Sequence, residues 1–227
     1  MSFLSSRGRR LIPNNMDEHL LRFNQDKTYV FIDCETLNLC LNFCQNLPWQ
    51  ISMLKVKGNR IIDERDYYIK WNTNLKISEE AAKLTRYSQT RMDKDGLAPE
   101  EVFPTIHEWL RDCDYIVGHN ILGFDLYLLK GFYEYMKEDY HQLTPKIIDT
   151  NCIARGVKYG MIYKKEEDFT CYQYKVLHTR KKGVKSSLSF LGKEFEIEHD
   201  YENLHDAIVD LKLNLKVWNK LKWQIEI

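Results

Sequence analysis

At 227 residues and 44% apolar, the chain is long enough to bury one sizeable core and short of the length expected of two full-sized domains. Its 33 Lys and Arg balance its 33 Asp and Glu, which excludes a global basic field as the means of holding a polyanion. No apolar stretch approaches the ~18 residues of a membrane span, residues 1–15 lack a signal-peptide run, and the six cysteines include no CxxC pair, so reduced thiols in a soluble, cytoplasmic protein are expected.

Residues 1–27 are polar and basic and read as an N-terminal arm, with a single domain expected over 28–227. Thr28-Tyr-Val-Phe-Ile-Asp33 has the composition of a buried strand ending on a charge. Trp49 to Val56 and Ile61 to Trp71 are two more strand candidates, separated by the Lys57-Gly58-Asn59 turn, so an antiparallel meander is expected. From Val102, the spacing of Ile106, Trp109 and Leu110 predicts a helix with Pro99 or Pro104 near its start, followed by a short strand at Tyr115-Ile-Val117. Beyond Gly118-His-Asn120, the residues Phe124, Leu128, Leu129 and Phe132 form another helical stripe, and Lys146-Ile-Ile-Asp149 reads as a further strand. Leu204, Ile208, Leu211, Leu215 and Trp218 share one face of a long amphipathic helix. A mixed α/β sheet flanked by helices follows.

Three acidic points punctuate these elements. In an extended strand, residues two apart share a face, so Asp33 and Glu35 present two carboxylates to one place, a costly arrangement unless a cation neutralises them; two solvated acids at a strand end are the plainer alternative. Asp125 falls in or near a first helical turn, where the helix dipole favours an acid, so a cap and a substrate cleft both stay open. Beside it, Asn120 suits hydrogen bonding and Phe124 suits packing or stacking on a base. A five-residue step turns a helix by about 140°, which places His205 on the turn before the last helix and Asp210 on the helix itself. Asp206 and Asp210, four apart, share a face, and geometry alone leaves Asp206 a rival.

The order DxE, Nx₃FD, Hx₄D, on a strand, a helix start and a C-terminal helix, resembles that of the DEDDh, or DnaQ-like, exonucleases from about Tyr29 to Trp218. The resemblance implies a ribonuclease H-like fold with a mixed five-stranded sheet, antiparallel in its first strands, and metal-dependent 3′→5′ exonuclease activity. In that family the acids at the positions of Asp33, Glu35, Asp125 and Asp210 bind two divalent ions, and the histidine at the position of His205 activates water. Asp210 is thereby preferred over Asp206. Thr36 and Leu37, just after the DxE pair, become candidates for gripping the terminal nucleotide. Many relatives carry a glycine-containing turn after these positions, whereas here the apolar-rich stretch Leu37 to Asn46 precedes the next strand.

The residue types suit the chemistry. Phosphodiester hydrolysis pushes an anionic nucleophile onto an anionic centre, and Mg²⁺ or Mn²⁺ held by carboxylates neutralises that charge. An imidazole titrating near neutrality can take the water's proton. The expected reaction is release of nucleoside 5′-monophosphates from single-stranded DNA 3′ ends, with RNA as the alternative strand. A proofreading role requires a polymerase or replication partner, and a non-catalytic module binding nucleic acid or a polymerase is the reading from another class. Cys34, Cys40 and Cys44 lack the partners a zinc site needs. Between Tyr159 and Lys185, Tyr163, Phe169, Tyr172 and Tyr174 alternate with lysines and arginine, a pattern that suits stacking and phosphate pairing on a single strand, and equally suits an edge hairpin with core-packed tyrosines.

Overall fold

A computed structural model describes residues 20–41, 46–74, 76–204 and 206–227 of the chain. The β-branched and aromatic runs of the N-terminal half form strands Thr28–Thr36 (β1), Pro48–Lys57 (β2) and Arg60–Ile69 (β3), paired as the expected antiparallel meander. Gly58, at φ +59°, supplies the left-handed step of the β2–β3 turn. Strands Tyr115–Gly118 (β5) and Ile147–Asp149 (β6) extend the sheet in parallel on the other side of β1. The sheet has six strands in the order β4-β3-β2-β1-β5-β6, one more than the five expected. The addition, Gly96–Leu97 (β4), is a two-residue strand along the end of β3, too short to leave a periodic signal.

Eight helices complete the described fold. Pro99–Asp112 (α3) opens on Pro99, where a missing N–H costs nothing, and Pro104 lies inside the helix rather than at its start. Asp125–Met136 (α4) and Ala207–Leu221 (α8) are the other two helices that hydrophobic spacing anticipates. That spacing does not reach Glu79–Leu84 (α1), Gln89–Asp95 (α2), Thr150–Tyr159 (α5), Phe169–His178 (α6) or Leu188–Glu194 (α7). Each follows a Ser or Asp cap whose side chain accepts a first-turn N–H. The segment whose pattern left a strand-binding surface and an edge hairpin both open forms α6 and its flanking turns, not a hairpin. Its aromatic residues pack on one another, with the Tyr163 ring 5.2 Å from Phe169 and 5.4 Å from Tyr172.

The two faces of the sheet are covered by different helices. Lys55 of β2 and Arg65 of β3 reach the Trp109 ring of α3, which places α3 on the face that carries Val30 and Ile32. Phe132 of α4 packs on Phe103 of α3. On the opposite face, Tyr29 meets Trp218 of α8, and Glu64 pairs with Lys212 of α8 at 3.0 Å. Tyr29, Phe31, Ile51, Leu54, Ile106, Phe132 and Trp218 are all buried in a core that spans both layers. Before β1, Leu20 and Leu21 are also buried, and the Leu21 amide donates to the Ile227 carbonyl at 2.7 Å. Among the described residues no helix is long and apolar enough to cross a membrane.

The edge at β6 is closed by a side chain. Gln173 of α6, fully buried, accepts from the Asp149 N–H (2.7 Å) and donates to the Ile147 carbonyl (2.9 Å), as a neighbouring strand would. Gln173→Leu leaves both backbone groups buried without a partner and should cost about 2–4 kcal/mol, read as a lower urea midpoint. A loss below about 0.5 kcal/mol would show that the amide is dispensable there.

Candidate active site

β1 continues through the DxET segment to Thr36, so Asp33 and Glu35 follow the two-residue alternation of Tyr29 and Phe31 and face α8. Between them, Cys34 turns the other way. Its backbone N–H lies beyond Phe31, the last β1 residue paired with β5, and donates instead to Oδ1 of Asp125 at 2.9 Å. Asp125 is the first residue of α4 and is only 3% exposed. Its carboxylate thus joins the helix to the strand across the end of the parallel sheet.

The loop that delivers Asp125 is organised by Asp149, a residue that the sequence pattern marks only as a strand end. Fully buried, its carboxylate accepts four backbone N–H groups: Asn120 (3.0 Å) and Leu122 (3.1 Å) from the β5–α4 loop, and Asn151 (2.9 Å) and Cys152 (3.1 Å) at the start of α5. Asn120 adopts the left-handed conformation (φ 66°), which asparagine tolerates better than most residues. Gly118 is required two residues earlier, since a Cβ there would sit 2.6 Å from Cβ of Ile121. Behind the loop, the Thr150 hydroxyl lies 2.7 Å from Oδ1 of Asn214 on α8 and 3.0 Å from Nδ1 of His119. Burial lowers the His119 pKa to about 4, so this ring is neutral near neutrality.

The carboxylates lie close enough to repel one another. Burial holds the Asp33 carboxyl well above the usual range, and the charges of Asp125, Glu35 and Asp210 push it further. Glu35 is pushed up to about 8 by burial, then by Asp125, Asp210 and Asp206. Asp125 rises to about 7 through burial, against the lowering effect of the Cys34 amide and its own. Among the described residues no Lys or Arg forms a salt bridge with Asp33, Glu35 or Asp125. Asp206 is exposed and caps α8, accepting from Ile208 N–H (3.2 Å) and Val209 N–H (3.4 Å), while Asp210 stands half-buried one turn later. His205 lies outside the described residues.

The remaining sequence candidates sit around this group. The Thr36 hydroxyl is buried, 2.7 Å from Oδ1 of Asn46 and 2.9 Å from the Asn38 carbonyl, and so closes the loop that follows β1. Leu37 is half-buried, its N–H donating to the Leu47 carbonyl and its carbonyl accepting from Ser78. Phe124 immediately precedes α4, half-buried against the core. Hard oxygen donors with uncompensated charge are the ligand chemistry of a divalent cation such as Mg²⁺ or Mn²⁺. Among the described residues no three His, Cys, Asp or Glu side chains are drawn close enough to cage one ion. The acids share one field without closing on a point. The five described cysteines are free thiols.

Sheet order, the helix on each face and the acids at the end of β1 define a ribonuclease H-like exonuclease fold. The profile of the RNase_T family, described as exonuclease, matches residues 30–218, and the chain belongs to this exonuclease family. It is 26% identical over 216 residues to a PolC-type DNA polymerase III of Mycoplasma pneumoniae, a match that spans 95% of this chain and 13% of that protein. Among solved structures it is similar to E. coli exonuclease I in complex with a dT13 oligonucleotide (TM-score 0.68, 19% identity, 87% of this chain and 41% of the other). The complex of the same enzyme with dA16 gives a TM-score of 0.69 at 18% identity, over 88% of this chain and 41% of the other. The chain therefore spans less than half of each of these proteins.

The raised carboxyl pKa values fix a pH dependence. Between pH 6.5 and 8.5 the unfolded acids are already ionised, while folded Asp125 and Glu35 lose their protons around pH 7 and 8, so the folded state binds more protons at the lower end and loses stability as pH rises. The buried His119 acts in the opposite direction only below about 6.5, where the unfolded imidazole charges. Thermal unfolding in EDTA should show Tm falling from pH 6.5 to 8.5, less steeply in Asp125→Asn. A flat Tm across that window in the parent protein would mean that the carboxylates do not share a field.

Proposed function

We propose that the chain is a 3′→5′ exonuclease that trims single-stranded DNA ends by a two-metal-ion mechanism and releases nucleoside 5′-monophosphates. The observation that carries this reading is that Asp33 and Glu35 from β1, Asp125 from α4 and Asp210 from α8 lie within one another's electrostatic field. The exonuclease family match agrees with it. DNA is favoured because the similar structures were determined with dT13 and dA16, and because the sequence relative is a DNA polymerase, which also suggests a polymerase as partner. The catalytic domain in this reading is 28–227, preceded by an arm over 1–27.

Asp33, Glu35, Asp125 and Asp210 would hold Mg²⁺ or Mn²⁺. Bound there, two such ions supply the positive charge that neutralises the phosphate and lowers the pKa of the attacking water. His205, adjacent in sequence to the Asp206 cap, would accept a proton from the attacking water. The burial of Asp125 and its bond from Cys34 N–H fix one carboxylate before substrate arrives, so little reorganisation is left for the reaction. Thr36 and Leu37, whose hydrogen bonds order the start of the loop after β1, would grip the terminal nucleotide, with Asn120 and Phe124 of the β5–α4 loop as further contacts.

Labelled single strands incubated with Mg²⁺ or Mn²⁺ should shorten stepwise from the 3′ end, and EDTA should stop the reaction. Asp210→Asn should lower the rate on the order of 10³-fold, while Asp206→Asn, which keeps a capping side chain, should retain it. Equal losses in the two variants would overturn the choice of Asp210. No shortening of DNA or of matched RNA by folded protein would overturn the enzyme reading in favour of a binding module.

A further inference from the structure

The balanced charge of the chain conceals a one-sided stretch. Residues 169–193 contain no Asp or Glu, yet carry Lys175, Arg180, Lys181, Lys182, Lys185 and Lys193. The fold arranges most of these around two adjoining concavities. One, of about 640 Å³, is lined by Arg155 and Tyr159 of α5 and by Arg180, Lys181 and Lys182 of the α6–α7 loop. The other, of about 500 Å³, is lined by Lys185, Phe190 and Lys193. Ser186 belongs to both, so they form one continuous surface. None of the six cations Arg155, Arg180, Lys181, Lys182, Lys185 and Lys193 has a carboxylate within salt-bridge distance among the described residues.

The cations are held apart rather than neutralised. The Tyr159 ring carries the Arg155 guanidinium at 5.5 Å and the Lys181 ammonium at 5.3 Å, and its hydroxyl accepts from Nε of Arg155 at 3.2 Å. Arg155 also donates to the Thr179 carbonyl, and Lys181 to the Tyr159 carbonyl at 2.5 Å. Lys185 lies over the Phe190 ring at 5.7 Å. The surface leads to the acids: the Ser186 backbone lies against His119, which follows the last residue of β5. His119 is two residues beyond Val117, and Asp33 two residues beyond Phe31, the last pair between β5 and β1.

We propose that this surface is a phosphate track, gripping the sugar-phosphate backbone of the single strand upstream of the end held at the carboxylates. The proposal rests on the exonuclease reading for its orientation. The tyrosines of the α6 region turn inward, with Tyr172 buried and its hydroxyl donating to the Met161 carbonyl at 2.8 Å, so the track offers cations rather than stacked platforms. Binding through it tolerates any sequence and depends steeply on salt.

The test is the anisotropy of a labelled dT15 strand bound by the whole chain in EDTA over a range of salt concentrations. Arg180, Lys181 and Lys182 are exposed, so Arg180→Gln/Lys181→Gln/Lys182→Gln should fold normally. It should weaken binding at least ~10-fold at low salt and flatten the log–log salt slope by about 2. Lys57→Gln/Arg60→Gln, at the β2–β3 hairpin on the far end of the sheet from Asp33, should leave the slope unchanged. An unchanged slope in the triple variant, or equal flattening in both, would overturn the track. So would loss of binding to anionic phosphatidylglycerol vesicles with strand binding intact, which would make the surface a membrane contact. Failure of the parent protein to shorten strands in Mg²⁺ would instead sink the exonuclease reading, and the salt slopes would still decide the track.

Discussion

Where β5 stops pairing at Phe31, the Cys34 amide turns to the Asp125 carboxylate 2.9 Å away, and the rest of the site is arranged around that bond. An amide freed at the end of a parallel sheet needs an acceptor, and a buried carboxylate needs donors. Each satisfies the other, and in doing so they lock the start of α4 to the strand that carries Asp33 and Glu35. Asp149 performs the matching task one strand further out, gathering four N–H groups so that the β5–α4 loop can turn sharply enough to bring Asp125 in. Two buried acids with different partners therefore have different work: Asp149 is saturated by backbone donors and shapes the loop, whereas Asp125 faces other carboxylates.

The cost of that arrangement is electrostatic. Asp33, Glu35 and Asp125 all have raised pKa values, and in each case burial is the leading cause, with like charges adding to Asp33 and Glu35. A protein selected only for stability would place a lysine or an apolar side chain there. Strain of this kind, concentrated at the carboxyl end of a central strand, marks a site built for a positively charged guest. In the proposed reading the basic surface beginning near His119 complements it, with acids for cations at the reacting end and cations for phosphates along the strand.

Much of this was legible in the sequence because strong patterns carry it. The three strands of the meander, α3, α4 and α8 each have apolar repeats long enough to show their period, and the DxE alternation places Asp33 and Glu35 on one face without any further information. Helices α1, α2, α5, α6 and α7 are too short or too evenly polar for a stripe, although their caps Ser78, Ser88, Asp149, Asp168 and Ser187 stand in plain view. The inward packing of the α6 tyrosines was one of two open readings, but the hairpin that went with it is a helix, because alternation with lysine suits a strand face as well as a helix whose aromatic side packs inward. Gln173, Asn214 and the bonds by which Asp149 gathers the β5–α4 loop were invisible for a different reason. Their importance comes from partners distant in sequence, and nothing local distinguishes a buried amide from an exposed one. Geometry on its own left Asp206 and Asp210 level; in the fold Asp206 is spent on the helix cap.

The central claim is that the fold raises the pKa of its carboxyls, so that in the proposed reading a divalent cation binding there at neutral pH would displace protons. Calorimetric titration of Mn²⁺ at pH 7, in two buffers of different ionisation enthalpy, counts the protons released on binding. The account predicts release of about one proton or more in the parent protein and a smaller release in Asp125→Asn. Tight binding with no proton release would contradict it.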